Sequence, residues 1–278
     1  MVGETVLGGD LRRIPGGKGA NQAVAAARLG RSVSMIGRVG SDEAGRILLH
    51  ALEADGVDTT HVSITDGVAS GVALISVQAD GDNAIIVSPG ANARLEQTDI
   101  DLAGDTLAAA SVTLLQLEIP IDIALAAAQR AGGRVILNPA PAPPDGVPNE
   151  LLSLVDVLVP NQTELAELAG VGGEVDAVRA VSLARGLPCR AVVVTLGADG
   201  ALVIDDQTIE HVPAPKVVPV DTTAAGDSFC AALADALVDG RNLVEAATWA
   251  VRVGAATTLR AGAQTSLPTR PEVKALIG

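Results

Sequence analysis

V-D-T-T-A-A-G-D-S, Val220 to Ser228, runs directly into an apolar helical stretch that begins at Ala224 and reaches Val238. Anion binding at a helix start requires free backbone N–H groups and no bulky side chain in the way. Ala224, Ala225 and Gly226 meet both conditions. Asp227 follows them, where an incoming phosphoryl group would meet an attacking hydroxyl, and a carboxylate there can take that hydroxyl's proton. Two aspartates at a helix start with no basic neighbour in sequence are costly to bury without a purpose. The segment therefore reads as a phosphoryl-transfer site.

Outward from this helix, short β-rich runs alternate with alanine-rich helical patterns. Strands are predicted at Val33–Ile36, Val112–Leu117, Arg134–Leu137, Val155–Val159, Ala191–Thr195 and Ala201–Ile204. Helices are predicted at Ala20–Leu29, Asp42–Ala54, Ile121–Ala131, Gln162–Leu168, Val175–Arg185, Ala224–Val238 and Leu243–Leu259. Such alternation predicts an α/β fold, a mostly parallel sheet with helices on both faces. One stretch breaks the rhythm. Gly71–Val77 and Ala84–Val87 flank A-D-G-D-N, a hairpin signature. Together with Thr5–Ile14 this predicts a small antiparallel flap able to exclude water from a site; an edge extension of the main sheet is the alternative. Pro139–Pro148 holds five prolines and reads as a stiff connection between helical units.

Composition narrows the function. The 278 residues are 48% hydrophobic but only 1% aromatic, with one Trp, one Phe and no Tyr. The core must be aliphatic, and ligands must be held by hydrogen bonds and aliphatic walls rather than by stacking. A net charge of −14 argues against nucleic acid or an anionic membrane surface as partner. It leaves a nucleotide possible, because a local cradle of N–H groups, a lysine and a metal can override the average field. Cys189 and Cys230 read as reduced core thiols. The longest apolar stretch, Val112–Ala128, is interrupted by Glu118, Pro120 and Asp122. With no secretory pattern at the start, a cytoplasmic location is expected.

Four further segments carry polar chemistry at the ends of elements. Pro15-Gly16-Gly17-Lys18-Gly19-Ala20-Asn21-Gln22 combines glycines with donors at a helix start, but lacks P-loop spacing. Read as structure, it is a glycine turn. Glu118 ends the strand-derived run Leu115-Gln116-Leu117-Glu118, where ligand crevices form in open α/β sheets. It either binds a hydroxyl or is simply solvated. Asn161 and Glu164, in P-N-Q-T-E, either cap a helix or face nucleotide phosphates and a magnesium-bound water. Thr195-Leu196-Gly197-Ala198-Asp199-Gly200 is a tight hairpin or a nucleotide wall. Finally, Arg260–Ser266 could fold back beside Asp221 as a carbonyl cage for a monovalent cation, or merely end a helix.

In this order the segments resemble those of the ribokinase family, the PfkB-type carbohydrate kinases. G-G-K-G-A-N at Gly16–Asn21 and D-T-T-A-A-G-D at Asp221–Asp227 are similar to its two signature regions, and the likeness runs from about Gly3 to the end of the chain. The resemblance implies a single three-layer domain over residues 1–278, with lid segments near 4–14 and 68–89. It implies transfer of phosphate from ATP to the primary O5 hydroxyl of D-ribose, giving ribose 5-phosphate and ADP. Asp227 would be the general base, and Ala224, Ala225, Gly226 and Asp227 the anion hole. Gly17, Lys18, Gly19, Ala20, Asn21 and Glu118 would hold the sugar. Asn161, Thr195, Leu196, Gly197, Ala198, Asp199, Gly200 and Gly226 would line the nucleotide site. Magnesium would ride on the phosphates, with Glu164 holding it through water. Potassium would sit among Asp221, Thr223, Thr257, Arg260, Gly262 and Ser266. A homodimer joined through the flaps is implied as well.

The family begins with a strand ending in a G-S-x-N-x-D-like segment whose Asp grips the sugar. This chain starts after that point, at M-V-G-E-T. The expectation is that the natural protein carries roughly 20–30 further residues, one strand plus loops. Two other functions fit the same residues: a kinase for a different sugar or a nucleoside, and a sugar- or nucleotide-binding relative without turnover. Few aromatic rings disfavour nucleosides, and the intact Asp227 disfavours a mere binder.

Overall fold

Alternate residues of the central strands face opposite ways, and both faces are apolar. In a computed structural model, which describes residues 10, 13–77 and 83–277, this pattern builds three layers. The strands β5 (Val112–Leu115), β6 (Arg134–Leu137), β7 (Val157–Leu158), β8 (Val192–Thr195), β9 (Ala201–Ile204) and β10 (Ile209–Val212) form one six-stranded sheet in the order β10-β9-β8-β7-β6-β5. Pairing is parallel from β5 to β8 and antiparallel from β8 to β10. Val135 and Leu137 point to one side, packing with α5 (Ile121–Arg130), α7 (Gln162–Leu168) and α8 (Ala177–Ala184). Ile136 points to the other, packing with α9 (Ala225–Val238) and α10 (Leu243–Thr257). Short helices α3 (Gln97–Leu102), α4 (Gly104–Ala109) and α6 (Asn149–Leu152) complete the first layer. α11 (Arg270–Ile277) buries Val273 in the second.

A second unit lies ahead of this sheet in sequence. α1 (Lys18–Arg28), β1 (Ser34–Gly40), α2 (Glu43–Ala54) and β2 (Asp58–Thr65) form a helix–strand–helix–strand run with β1 and β2 parallel. α1 packs Val24 and Ala25 against Ala231 of α9 and Leu267. The hairpin β3 (Val72–Val77) and β4 (Asn83–Ser88) pairs only with itself among the described residues, so it is a separate flap and not an edge extension. Thr5–Ile14, expected to join it, lies mostly outside the described residues, as do residues 78–82 of the turn. The base of the flap is pinned by Asp42. Its carboxylate accepts from Gly45 N, Ser70 N and Ser70 Oγ at 2.7–2.9 Å, and these bonds hold its pKa down to about 2.

Several expectations need correction. β1 continues through Gly37 to Gly40, which a strand reading would take as breakers. Gly40 is required there, because a Cβ would lie 2.2 Å from the Val68 carbonyl oxygen. β2, β10, α3, α4, α6 and α11 were not expected. The proline-rich stretch joins strand β6 to helix α6, not two helices. Among the described residues no helix is long and apolar enough to cross a membrane.

Buried in the α9 layer is a polar hub. Asp235 is fully covered and accepts from Arg31 Nε at 2.5 Å, Arg270 Nη2 at 2.6 Å and Trp249 Nε1 at 2.8 Å. Arg270 also lies over the Trp249 ring, 5.3 Å from its centroid. The hub fastens α9 to α10, α11 and the turn after α1.

Candidate active site

The N-terminus of α9 is set by Ala224, which has φ +60° and is the one non-glycine residue with positive φ among those described. That left-handed turn closes with Ala225 N donating to Thr222 O at 3.2 Å. The Ala225 N–H is thus engaged in the turn, which narrows the expected anion hole to its neighbours. Space above Gly226 is open: a Cβ there would meet nothing within 4 Å. The first-turn N–H groups have no i−4 carbonyl to bind, so the geometry suits an anion.

Asp227 lies beside this opening, only 8% exposed. Asn21 Nδ2 donates to its Oδ2 at 2.8 Å, and Gln22 Nε2 to its Oδ1 at 3.3 Å. Burial pushes its pKa up, while the Asn21 bond, the Lys18 charge and the Gln22 bond push down; the net direction is up. Asn21 is itself buried, and its Oδ1 has no hydrogen-bond partner. A buried orphan acceptor is costly unless a ligand hydroxyl completes it.

Glu118 follows β5 and accepts from the backbone N–H of Lys18 at 2.8 Å, clamping the turn at Gly17, whose φ is +94°. Burial raises its pKa against the pull of Lys18. Glu164, half-buried at the start of α7, is raised by burial in the same way. It forms a reciprocal capping box with Asn161, both bonds 2.8 Å, so capping is what these two side chains do here. Gly17, Lys18, Asn21, Glu118 and Asp227 thus converge. Gly19 and Ala20 lie on the same first turn of α1, and a Cβ on Gly19 would come within 2.9 Å of Gln116 Oε1.

The hairpin segment is brought next to Asn161: Thr195 bridges to it and donates its N–H to Pro160 O at 2.9 Å. Leu196 N then bonds Gly200 O at 2.8 Å around the 3₁₀ turn Gly197-Ala198-Asp199. His211 pins this turn at Asp199 O, 2.7 Å away. Gly200 has φ +97°, and a Cβ would sit 2.1 Å from Val212 O. Gly200→Ala is expected to lower stability by about 2–4 kcal/mol through this backbone clash, read as a shift in the urea midpoint.

Arg260–Ser266 does fold back beside Asp221: Gly262 N donates to Asp221 Oδ2 at 2.8 Å, and Thr223 N to Oδ1 at 2.9 Å. The side chains of Thr257, Arg260 and Ser266 are turned to Ser228, Glu272 and Ala263 O respectively. The Arg260 guanidinium has no acceptor, so Arg260 could offer a cation only its main-chain carbonyl. One carboxylate with loop carbonyls is a donor set of hard oxygens, which fits potassium. Among the described residues no cluster of three or more His, Cys, Asp or Glu side chains is arranged to hold a metal.

Sequence reading assigned no role to Gln22, Gln116 or Asn138. Gln22 Nε2 also donates to Asn138 Oδ1 at 3.3 Å, and Gln116 Nε2 donates to Gln22 Oε1. The available signal was two adjacent amides, Asn21 and Gln22, in a helix otherwise rich in Ala.

Comparison with known proteins addresses the family and the fold. Residues 2–270 match the model of the pfkB family carbohydrate kinases. The chain is 38% identical over 275 residues to a ribokinase of Haemophilus influenzae, covering 97% of this chain and 89% of that one. It is 37% identical over 274 residues to a deoxyribokinase of Salmonella typhi, covering 96% and 89%. The structure of Arabidopsis thaliana ribokinase complexed with ribose and ATP superposes with a TM-score of 0.89 at 33% identity, covering all of this chain and 92% of that one. With its signature segments gathered around one buried aspartate on a ribokinase-like sandwich, the chain belongs to the pfkB family of carbohydrate kinases.

Proposed function

We propose that this kinase transfers the γ-phosphoryl group of ATP to O5 of D-ribose, with Asp227 as general base. The observation that carries the reading is the buried Asp227 carboxylate beside the open N-terminus of α9, with an unpartnered Asn21 Oδ1 next to it. Asp227 takes the proton of the O5 hydroxyl as the new O5–P bond forms. The bond from phosphorus to the bridging oxygen breaks, and ADP leaves. First-turn N–H groups of α9 stabilise the charge on the moving phosphoryl group. Gly17, Lys18, Asn21 and Glu118 orient the sugar, and Asn161 and Thr195–Gly200 wall the nucleotide. Glu164 is the residue available to a magnesium-bound water. Magnesium, when bound, neutralises phosphate charge.

ADP release with magnesium, potassium and D-ribose, against no sugar and 2-deoxyribose, tests the reading. Ribose-dependent turnover supports it. Preference for 2-deoxyribose, favoured by the similarity to a deoxyribokinase, moves the substrate but keeps the chemistry. No sugar-dependent turnover, either by this chain or with an upstream family segment restored, rejects it.

Potassium is proposed to bind at Asp221 and the carbonyls of the returning loop. Asp221→Ala is expected to weaken potassium activation at least tenfold in concentration, since the carboxylate both ligates and holds Gly262 N. Unaltered potassium dependence counts against the site. The flap exposes Val72, Leu74, Ile75, Ile86 and Val87. Such an apolar surface on a small hairpin is proposed to be covered by the flap of a second copy, giving a homodimer with twice the chain mass by light scattering.

A further inference from the structure

The amides behind Asp227 form a chain whose direction is fixed from both ends. Val159 O can only accept, so Asn138 must turn its NH₂ toward it, which it does at 2.9 Å. That leaves Asn138 Oδ1 facing Gln22. The Asp227 carboxylate, when ionised, also only accepts. Gln22 must therefore turn its NH₂ toward both, each at 3.3 Å, and its Oε1 away. Gln116 meets that Oε1 with its own NH₂, which also reaches Leu114 O at 3.4 Å. Two main-chain carbonyls, at the carboxyl ends of β5 and β7, thus dictate that Gln22 presents a donor to Asp227. Gln22 is only 1% exposed and has no alternative partner in water.

We propose that Gln22 is a positioning residue that fixes the Asp227 carboxylate for sugar deprotonation, and that Gln116 and Asn138 enforce its donor orientation. The inference rests on Asp227 acting as general base. With Asn21 on one oxygen and Gln22 on the other, the carboxylate cannot rotate without losing a charge-assisted bond. The charged and titratable groups around it are Lys18 from α1, Glu118 after β5, Glu164 from α7 and the Cys230 thiol of α9. Among these only Lys18 is cationic. Against desolvation the Asn21 bond acts most, followed by the Lys18 charge and then the Gln22 bond.

Gln22→Met keeps the side-chain length and removes the donor. Losing one hydrogen bond to a charged group is expected to lower kcat roughly 10–100-fold, with the dissociation constant for ATP little changed. The acid limb of the kcat/KM–pH profile, which reports the free enzyme, moves to higher pH. In ¹³C-carboxyl-labelled protein without ligands, the Asp227 signal, identified by its absence in Asp227→Asn, titrates at higher pH by the same amount. Gln116→Met, at a half-buried site, shifts both in the same direction by less, and decides the matter if Gln22→Met does not fold. An unmoved carboxyl titration and pH limb, with only a lower melting temperature, overturns the proposal and leaves Gln22 a packing residue. Full turnover in Asp227→Asn rejects the general-base reading, whereas the carboxyl titration still reports whether Gln22 controls Asp227.

Discussion

Asp227→Asn is expected to bind ATP as the parent does and to turn over at least ~100-fold more slowly, the usual loss when a general base is removed. Single-turnover ADP formation alongside ATP binding by calorimetry separates the two effects. Near-normal turnover rejects the assigned role. The same substitution is expected to leave the melting temperature at pH 7 unchanged or higher. Burial raises the Asp227 pKa in the folded protein. A carboxyl shifted upward stabilises the fold fully only below its unfolded pKa, and that contribution is lost as pH rises through the folded value. At neutral pH the ionised group is therefore a net cost. Asparagine removes the charge, and Asn21, whose Oδ1 has no other partner, can turn its amide to meet the new NH₂. An inactive protein at least as stable as the active one is the signature of a strained functional residue. A lower melting temperature would mean that Asp227 also holds the fold.

Asp235→Ala is expected to lower stability by about 3 kcal/mol. The aspartate is fully covered, whereas Arg31 and Arg270 keep a quarter or more of their side chains exposed. Its removal strands the Trp249 indole N–H and takes the buried carboxylate from two guanidinium groups, although Arg31 keeps Asp239 and Arg270 keeps the Leu29 carbonyl, and water can reach both in part. The full penalty for uncompensated buried charge is accordingly not reached. Urea unfolding followed by circular dichroism measures the loss. A change below 1 kcal/mol would show that the hub contributes little. Because Asp235 lies about two turns beyond Asp227 on α9, residual activity of the folded fraction is expected to be near normal.

Legibility in sequence followed how local each signal was. The α9 start and the Gly16–Asn21 turn could be read because glycine, alanine and aspartate fall within a few consecutive residues. The strands β6, β8 and β9 each hold three or more consecutive buried aliphatic residues, and their bounds agreed closely. β2 escaped because D-T-T-H-V-S-I-T is half-exposed and offers only Val62 and Ile64 as apolar anchors. β10, I-E-H-V, buries Val212 alone. β1 was cut short because Gly37 and Gly40 look like breakers when the close approach of Val68 cannot be seen. Gln22 was passed over for a different reason: its partners Gln116 and Asn138 stand 94 and 116 residues away. A helical glutamine has no local mark that distinguishes a solvated side chain from a buried one. Capping by Asn161 was legible from the P-N-Q-T-E pattern itself, since the donor and acceptor are three residues apart.

The Asp235 hub also determines what light can report about this molecule. With one tryptophan and no tyrosine, ultraviolet emission comes essentially from the single indole of Trp249. That ring is almost fully covered, is hydrogen-bonded to α9 and has a guanidinium over its face. It lies on α10, and its partners there are Asp235 and Arg270, neither of them in the sugar or nucleotide segments. An intensity change on adding ligand would therefore signal a displacement carried along α9, not a quencher touching the chromophore.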